Sequence, residues 1–309
     1  MTGNVWDMPP NWQPLRVVLA SAQADEPMGS KEKWWIDIPN DERSWLLKLS
    51  RVDDRDGTVS GEDWAEWVVH HLAGLLGVPT ATVLPATLEG RRGIVSRSVL
   101  QDKFEYLDHG NSVLSASVAA YDQSTRGENP GYTPAAVRDA LKDVAPPTEV
   151  TWPPGFTAYD AWTGYLLMDA WVAGRDRHPE NWAVILRGSE RRLAPSFDHG
   201  NALAFQERDQ RRVRMLDDDE YLHRWISRGT NRYFSGQPGL TDLALHALQL
   251  ASPMASTHWT DHLDALNDEA IQSVVFEVPE EIMSDVTRRF IVRLLATTRR
   301  RLLDGYTST

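Results

Sequence analysis

Residues 157–173, TAYDAWTGYLLMDAWVA, are apolar nearly all the way round a helical projection, and the nine that follow, GRDRHPENW, are not. A helix without a polar face must be enclosed by other elements. Any fold open to this chain therefore surrounds residues 157–173 and sets the polar loop 174–182 against the core. Asp176, His178 and Asn181 crowd into that loop, and LAPSFDHGNAL (193–203) places a further carboxylate, Asp198, between apolar segments. The stretches AVILRG and RRLAPSF between them read as a short β-hairpin. Its return strand would carry Asp198 back beside the loop.

The chain before this region has a different character. LRVVLASA (15–22), WWIDI, SWLLKLS (44–50), TATVLPATL and GIVSRSVL have the length and composition of strands. QADEPMGSKEK (23–33) reads as a loop carrying Gly29 and Ser30. EDWAEWVVHHLAGLLG (62–77) has helical periodicity, with Trp64, Trp67, Val68, Leu72, Leu75 and Leu76 largely on one face and Gly77-Val78-Pro79 as a stop. Residues 121–156 are rich in Pro and Gly and hold one short helix, with Thr133 as N-cap and Pro134 in the first turn. Further helices are expected at about 218–228, 240–251, 259–271 and 280–304. In the last, Ile282, Val286, Phe290 and Leu294 mark the buried stripe. The expected fold class is α+β and two-lobed: a small strand-rich lobe with one helix over residues 1–100, and a larger, mainly helical lobe over 101–309.

Composition excludes several functions. With 32 Lys and Arg against 44 Asp and Glu, the net charge of −12 does not suit direct nucleic-acid binding, which needs a positive face. The arginines of the last helix (Arg288, Arg289, Arg293, Arg299, Arg300, Arg301) read as a solvated face. No apolar stretch reaches the roughly 18 residues of a membrane span, and MTGNVWDMPPNW is not a signal peptide. With zero cysteines there are no disulfides and no thiolate metal sites. A cytoplasmic protein is expected. The 13 tryptophans read mostly as core or cleft wall.

Two carboxylates and an amide oxygen converging on a loop and hairpin suit a hard cation such as Mg²⁺, which takes one or two carboxylates together with substrate phosphates. A remaining carboxylate can accept the proton of an incoming hydroxyl. Phosphoryl transfer is the reaction such a set serves, because its catalysis is mostly positioning and charge neutralisation. Phosphates also need cations. Lys48 stands in SWLLKLS among Leu46, Leu47 and Leu49, and if buried it needs a partner. Glu66 in the following helix is the nearest choice, although Glu62 and Asp63 lie close by. Backbone N–H groups around Gly29 and Ser30 could face phosphates, with Lys31 and Lys33 adding positive charge. His178 has no second His or Cys at zinc spacing, and the dipeptide His70-His71 points to two helix faces.

These residues carry a resemblance. GSKEKWWI, SWLLKLS, EDWAEWVVHHLAGLLGVP, GRDRHPENWAVI, RRLAPSFDHGNAL and VPEEIMSDVTRRF, spanning residues 29–290 in order, are similar to HipA-like kinases. That family is a bacterial branch of the protein-kinase-like fold, related to the phosphoinositide lipid kinases. The resemblance implies ATP and Mg²⁺ as cofactors and a role for each position. Asp176 would be the catalytic base or hydroxyl-orienting carboxylate. Asn181 and Asp198 would ligate Mg²⁺. Lys48 would hold ATP phosphates, positioned by Glu66. Gly29, Ser30 and Lys31 would form the phosphate loop, with Ser30 where HipA proteins can autophosphorylate. His178 would support the catalytic loop, and SVLQDKF (98–104) would meet adenine.

The sequence departs from the family in lacking room for the extra N-terminal subdomain of HipA, in the G-R-D that leaves Arg175 without a clear role, and in residues 121–156. The implied acceptor is a Ser/Thr hydroxyl on a protein, and the implied setting includes an antitoxin-like partner. A small-molecule kinase of the same fold, for a metabolite or antibiotic, is the alternative acceptor class. A pseudokinase binding module is the non-enzymatic one. Lys48, Asp176, Asn181 and Asp198 are all present, which argues against the last.

Overall fold

The computed structural model of the chain describes residues 10–18, 22–25 and 33–307. Gly29, Ser30 and Lys31, assigned above to a phosphate loop, lie outside the described residues. The fold is mixed α+β, and its first sheet has six strands in the order β1-β5-β6-β4-β3-β2. These are β1 (Leu15–Val17), β2 (Ala22–Asp25), β3 (Lys33–Ile36), β4 (Trp45–Leu49), β5 (Val83–Leu88) and β6 (Arg91–Arg97). All neighbours pair antiparallel except β1 with β5.

The period-2 alternation of a strand explains the odd lysine. Trp45, Leu47 and Leu49 point to one face, where they join Ile36, Leu88 and Val95 in an apolar cluster. Leu46 and Lys48 point to the other and line a cleft. Gly93, paired with Leu49 on β6, is required there: a Cβ would stand 2.2 Å from the backbone oxygen of Lys48.

Helix α1 (Glu62–Leu76) ends on Gly77 with φ 82°, the left-handed conformation that glycine adopts most easily. Trp64, Trp67, Val68, Leu72 and Leu76 are buried as the periodicity predicts, while Leu75 is exposed. The helix packs on β5 and β6 and also on helices α8 (Pro253–Asp264) and α9 (Asp268–Glu277). One apolar core therefore runs through α1 into the helical part of the chain.

That part opens with β7 (Tyr106–His109) and α2 (Gly110–Ser117). Helix α3 (Pro134–Ala140) is capped by Thr133, whose side chain accepts from the Ala136 N–H. Helix α4 (Ala158–Trp171) is the enclosed helix, and all of its residues are buried. A reciprocal capping box between Thr157 and Asp160 starts it. Strands β8 (Ala183–Arg187) and β9 (Glu190–Leu193) form the expected hairpin, and β7 pairs with β8 to make a three-stranded sheet.

Helices α5 (Asp209–Asp217), α6 (Asp219–Ser227), α7 (Leu240–Leu250) and α10 (Asp285–Thr307) complete the chain. α4 lies against α7, α8 and α10.

The structure differs from expectation in several places: β2 takes in Gln23, Ala24 and Asp25 of the stretch read as a loop, and α10 starts at Asp285, leaving Ile282 outside its stripe. The helix expected at 259–271 is two helices. Ser252 and Pro253 start α8 upstream, and Asn267 caps a separate α9 by accepting from the Ala270 N–H. Helix α5 shows no apolar stripe in its sequence because only Arg212 and Met215 are buried. The arginines of the last helix are not simply solvated: Arg288 is buried with its guanidinium 5.7 Å from the Phe276 ring centroid, and Arg293 and Arg299 pair with Asp219 and Asp268. No helix among the described residues is long and apolar enough to cross a membrane.

Candidate active site

Lys48 leaves β4 on the cleft side and meets two carboxylates. Its Nζ lies 3.1 Å from Glu66 Oε1 on α1 and 2.9 Å from Asp198 Oδ1 on the segment after β9. Of the three carboxylates near the start of α1, the structure brings Glu66 to the lysine. Glu62 faces Arg51 and Asp63 faces Arg92. Burial alone would lower the pKa of the Lys48 ammonium. Asp198 and Glu66 outweigh that, so its pKa is raised above the ordinary value.

Asp198 has φ 60°, a left-handed conformation that Asp tolerates better than most residues. Beside it, buried His199 is anchored through Nε2 to Ser196 Oγ at 2.7 Å. Burial, assisted by the Arg177 cation, holds that imidazole well below its ordinary pKa, so it is neutral.

The loop after α4 is built on a buried ion pair. Asp169, the lone carboxylate in YLLMDAWVA, receives Arg177 Nε and NH2, both at 2.8 Å. Arg177 NH1 donates to the Asn181 carbonyl at 2.7 Å, and Tyr132 Oη donates to the Arg177 carbonyl at 3.2 Å. A single 3₁₀ turn, Pro179–Asn181, follows, with His178 Nδ1 accepting the Glu180 N–H.

Asn181 Nδ2 donates to the Asp176 carbonyl at 2.7 Å, which leaves Oδ1 as the atom of that amide able to meet a hard cation. Arg175 stacks its guanidinium 4.6 Å from the Trp225 ring centroid on α6, and its N–H donates to the Asn201 carbonyl. It ties the loop to α6 and to the Asp198 segment.

The half-buried Asp176 carboxylate accepts from Tyr233 Oη at 2.9 Å. His178 stands beside that ring, 5.2 Å between centroids.

Lys48, Asp176, Asn181 and Asp198 line one cleft of about 700 Å³, together with Leu46, Ser98, Val99, Leu100 and Phe197. A second cavity of about 800 Å³ shares Ala81, Arg97, Ser98 and Val99 with it but contains none of those four residues. Among the described residues, no three His, Asp or Glu side chains stand together as a protein-only metal cage. Oxygen donors from Asp198 and Asn181 fit an ion that takes its other ligands from phosphates and water.

The chain matches no protein-family model and no curated protein. Solved structures do resemble it. The proinflammatory kinase CtkA of Helicobacter pylori superposes with a TM-score of 0.71 over 96% of this chain and 98% of that one, at 15% identity. HipA of the Shewanella oneidensis MR-1 toxin–antitoxin system, solved with HipB and operator DNA, gives 0.60 over 92% and 67%, at 12% identity. This chain has the HipA-like kinase fold.

Within the HipA-like frame, sequence reasoning missed Asp169, Arg177, Arg232 and Tyr233. Asp169, the one carboxylate beyond the capped first turn of an otherwise apolar helix, was a usable signal, since a buried carboxylate needs a cation. Tyr233 and Arg232 carried none. Only the long-range fold sets them beside the loop.

Proposed function

We propose that the chain is an ATP- and Mg²⁺-dependent phosphotransferase that moves a γ-phosphoryl group to a hydroxyl, with a Ser/Thr side chain of a protein as acceptor. One observation carries the reading: Lys48 is pinned between Glu66 and Asp198 in the same cleft as Asp176 and Asn181.

ATP supplies the phosphoryl group, and Mg²⁺ would neutralise its developing charge. The chain's residues do the rest. Glu66 orients the Lys48 ammonium toward the phosphates. Asp198 and Asn181 Oδ1 would hold the cation. Asp176 orients the acceptor hydroxyl and takes its proton. Arg177 and Asp169 keep the loop in place from behind. Ser98, Val99 and Leu100 form the adenine wall.

The solved HipA is accompanied by HipB, which supports an antitoxin-like protein partner for this chain as part of the proposal. The complete set Lys48, Asp176, Asn181 and Asp198 favours an enzyme over a nucleotide-free binding module.

Incubation with γ-labelled ATP and Mg²⁺ tests the reading. Transfer is expected from the wild type, and Asp176→Ala should reduce it about 10²- to 10⁴-fold. ATP should raise the melting temperature only when a divalent ion is present. Absence of both ADP formation and ATP-dependent stabilisation would overturn the proposal. Phosphosite mapping in the same samples reads out Ser30.

A further inference from the structure

A hydroxyl already rests on the carboxylate of Asp176, and it belongs to the chain itself. Tyr233 Oη donates to Asp176 Oδ1 at 2.9 Å. That distance is within the roughly 2.6–3.2 Å over which a general base takes a proton. The phenol oxygen in turn accepts from Arg232 NH2 at 2.8 Å, so a cation faces the atom on which negative charge would develop. Tyr233 and Arg232 line the same cleft as Lys48, Asn181 and Asp198.

The segment carrying them is anchored. Thr230 and Gly239 form a β-bridge, and the Asn231 N–H donates to the Pro238 carbonyl at 3.0 Å. Phe234 is buried and stacked on Tyr132 with 3.8 Å between centroids. The Tyr233 N–H is held by Asn231 Oδ1. The backbone that brings the half-buried Tyr233 to Asp176 is thus held by the fold. Burial, and then the Asp176 carboxylate, raise the phenol's pKa, so it keeps its proton at neutral pH and donates it.

We propose that Tyr233 is a self-phosphorylation site, modified in cis. The proposal rests on the phosphotransferase reading above. In the step, a bond forms between Tyr233 Oη and the γ-phosphorus of ATP. The bond from that phosphorus to the β,γ-bridging oxygen breaks, and ADP leaves with the electron pair. The phenol proton passes to Asp176. The product is a phosphotyrosine facing the Arg232 guanidinium, a pairing that charge-assisted hydrogen bonds favour. An external hydroxyl reaching Asp176 Oδ1 competes with Tyr233 for that oxygen. The modified ring then places a dianion beside Asp176, so self-phosphorylation should close the acceptor position.

The full chain incubated with ATP and Mg²⁺, with casein as a generic external acceptor in parallel, tests this by site-resolved mass spectrometry. Runs at two protein concentrations tenfold apart supply the kinetics. Phosphate on Tyr233 is expected, approaching one per chain, with a first-order rate constant unchanged across the tenfold range. It should be absent in Asp176→Ala that retains the wild-type melting transition. Phosphate on casein or on other residues with Tyr233 unmodified overturns this inference and leaves the phosphotransferase reading standing. A rate constant that rises in proportion to protein concentration also overturns it, because a second copy is then the donor. No ADP and no label on any acceptor overturns both.

Discussion

Two carboxylates that line the same cleft, Asp198 and Asp176, are held by different physics. Asp198 is fixed by a charge, the Lys48 ammonium, which it shares with Glu66. Asp176 is fixed by neutral groups: the Tyr233 phenol on its side chain, and the Asn181 amide and the His178 N–H on its carbonyl. The charges at that second end stand one step behind, in the buried Asp169–Arg177 pair and in Arg232, which donates to the phenol oxygen. In the proposed reaction, Lys48 and Asp198 form a phosphate end where function and stability fall on the same side chains. Asp176 marks an acceptor end that separates them, at the surface of a scaffold that does not depend on its carboxylate.

The largest way to break this contrast is to remove the shared cation. Lys48→Ala leaves Glu66 buried without its ammonium, and breaking one side of a buried ion pair costs about 3–5 kcal/mol. Urea unfolding should show a loss of that size. Lys48→Ala combined with Glu66→Ala should lose less than the two single changes together, since the second removes the orphaned charge. A cost below about 1 kcal/mol for Lys48→Ala, the range of exposed pairs, would mean that the phosphate end is not held by charge.

What the sequence could show follows the same divide. Local and periodic features were legible: the apolar α4, the β8–β9 hairpin, the α1 stripe ending at Gly77, and the lysine in an apolar strand. Strands β2 and β7 and helices α2 and α5 were not, because short or polar elements give no periodic signal. Residues 259–271 misled because apolar spacing ran across the break between α8 and α9, where capping by Asn267 decides the boundary. At the site, D-R-H-x-x-N and the later Asp pointed to chemistry, while their supports came from Tyr132, Asp169 and Tyr233. Two of those three are tens of residues away from the loop in the chain, and no local pattern links them to it.

A smaller effect sharpens the phosphate end through pH. His70 lies one helical turn after Glu66 on α1 and contacts Thr80 Oγ1 through Nδ1 at 2.7 Å. Burial, with a contribution from His71, lowers its pKa to about 3. An unfolded imidazole titrates near ~6.5. Below that pH the unfolded chain binds a proton that the folded chain does not, so stability present above it is lost progressively as pH falls. At pH 5 the loss from one such group is about 2 kcal/mol relative to neutral pH. His70→Gln should remove that share of the acid slope, measured as urea midpoints from pH 7.5 to 5. An unchanged slope would show that His70 is protonated in the folded chain.

The smallest expected effect is the most telling for the acceptor end. Asp176→Asn keeps a side-chain oxygen able to accept from Tyr233 Oη, and the carbonyl that Asn181 holds is untouched. Only the charge is lost, so one charge-assisted hydrogen bond becomes a neutral one, a difference of about 1 kcal/mol. Unfolding free energy at pH 7 should fall by no more than that, while transfer to any hydroxyl collapses because an amide cannot take the proton. Calorimetry and the labelled-ATP assay on the same preparation check both halves. A loss above about 2 kcal/mol would place the Asp176 charge inside the structural network, as at Asp198, and the contrast between the two ends would disappear. A loss within the expected range means that the Asp169–Arg177 pair and the Asn181 amide suffice to shape the loop, and that Asp176 sits there for chemistry rather than for folding.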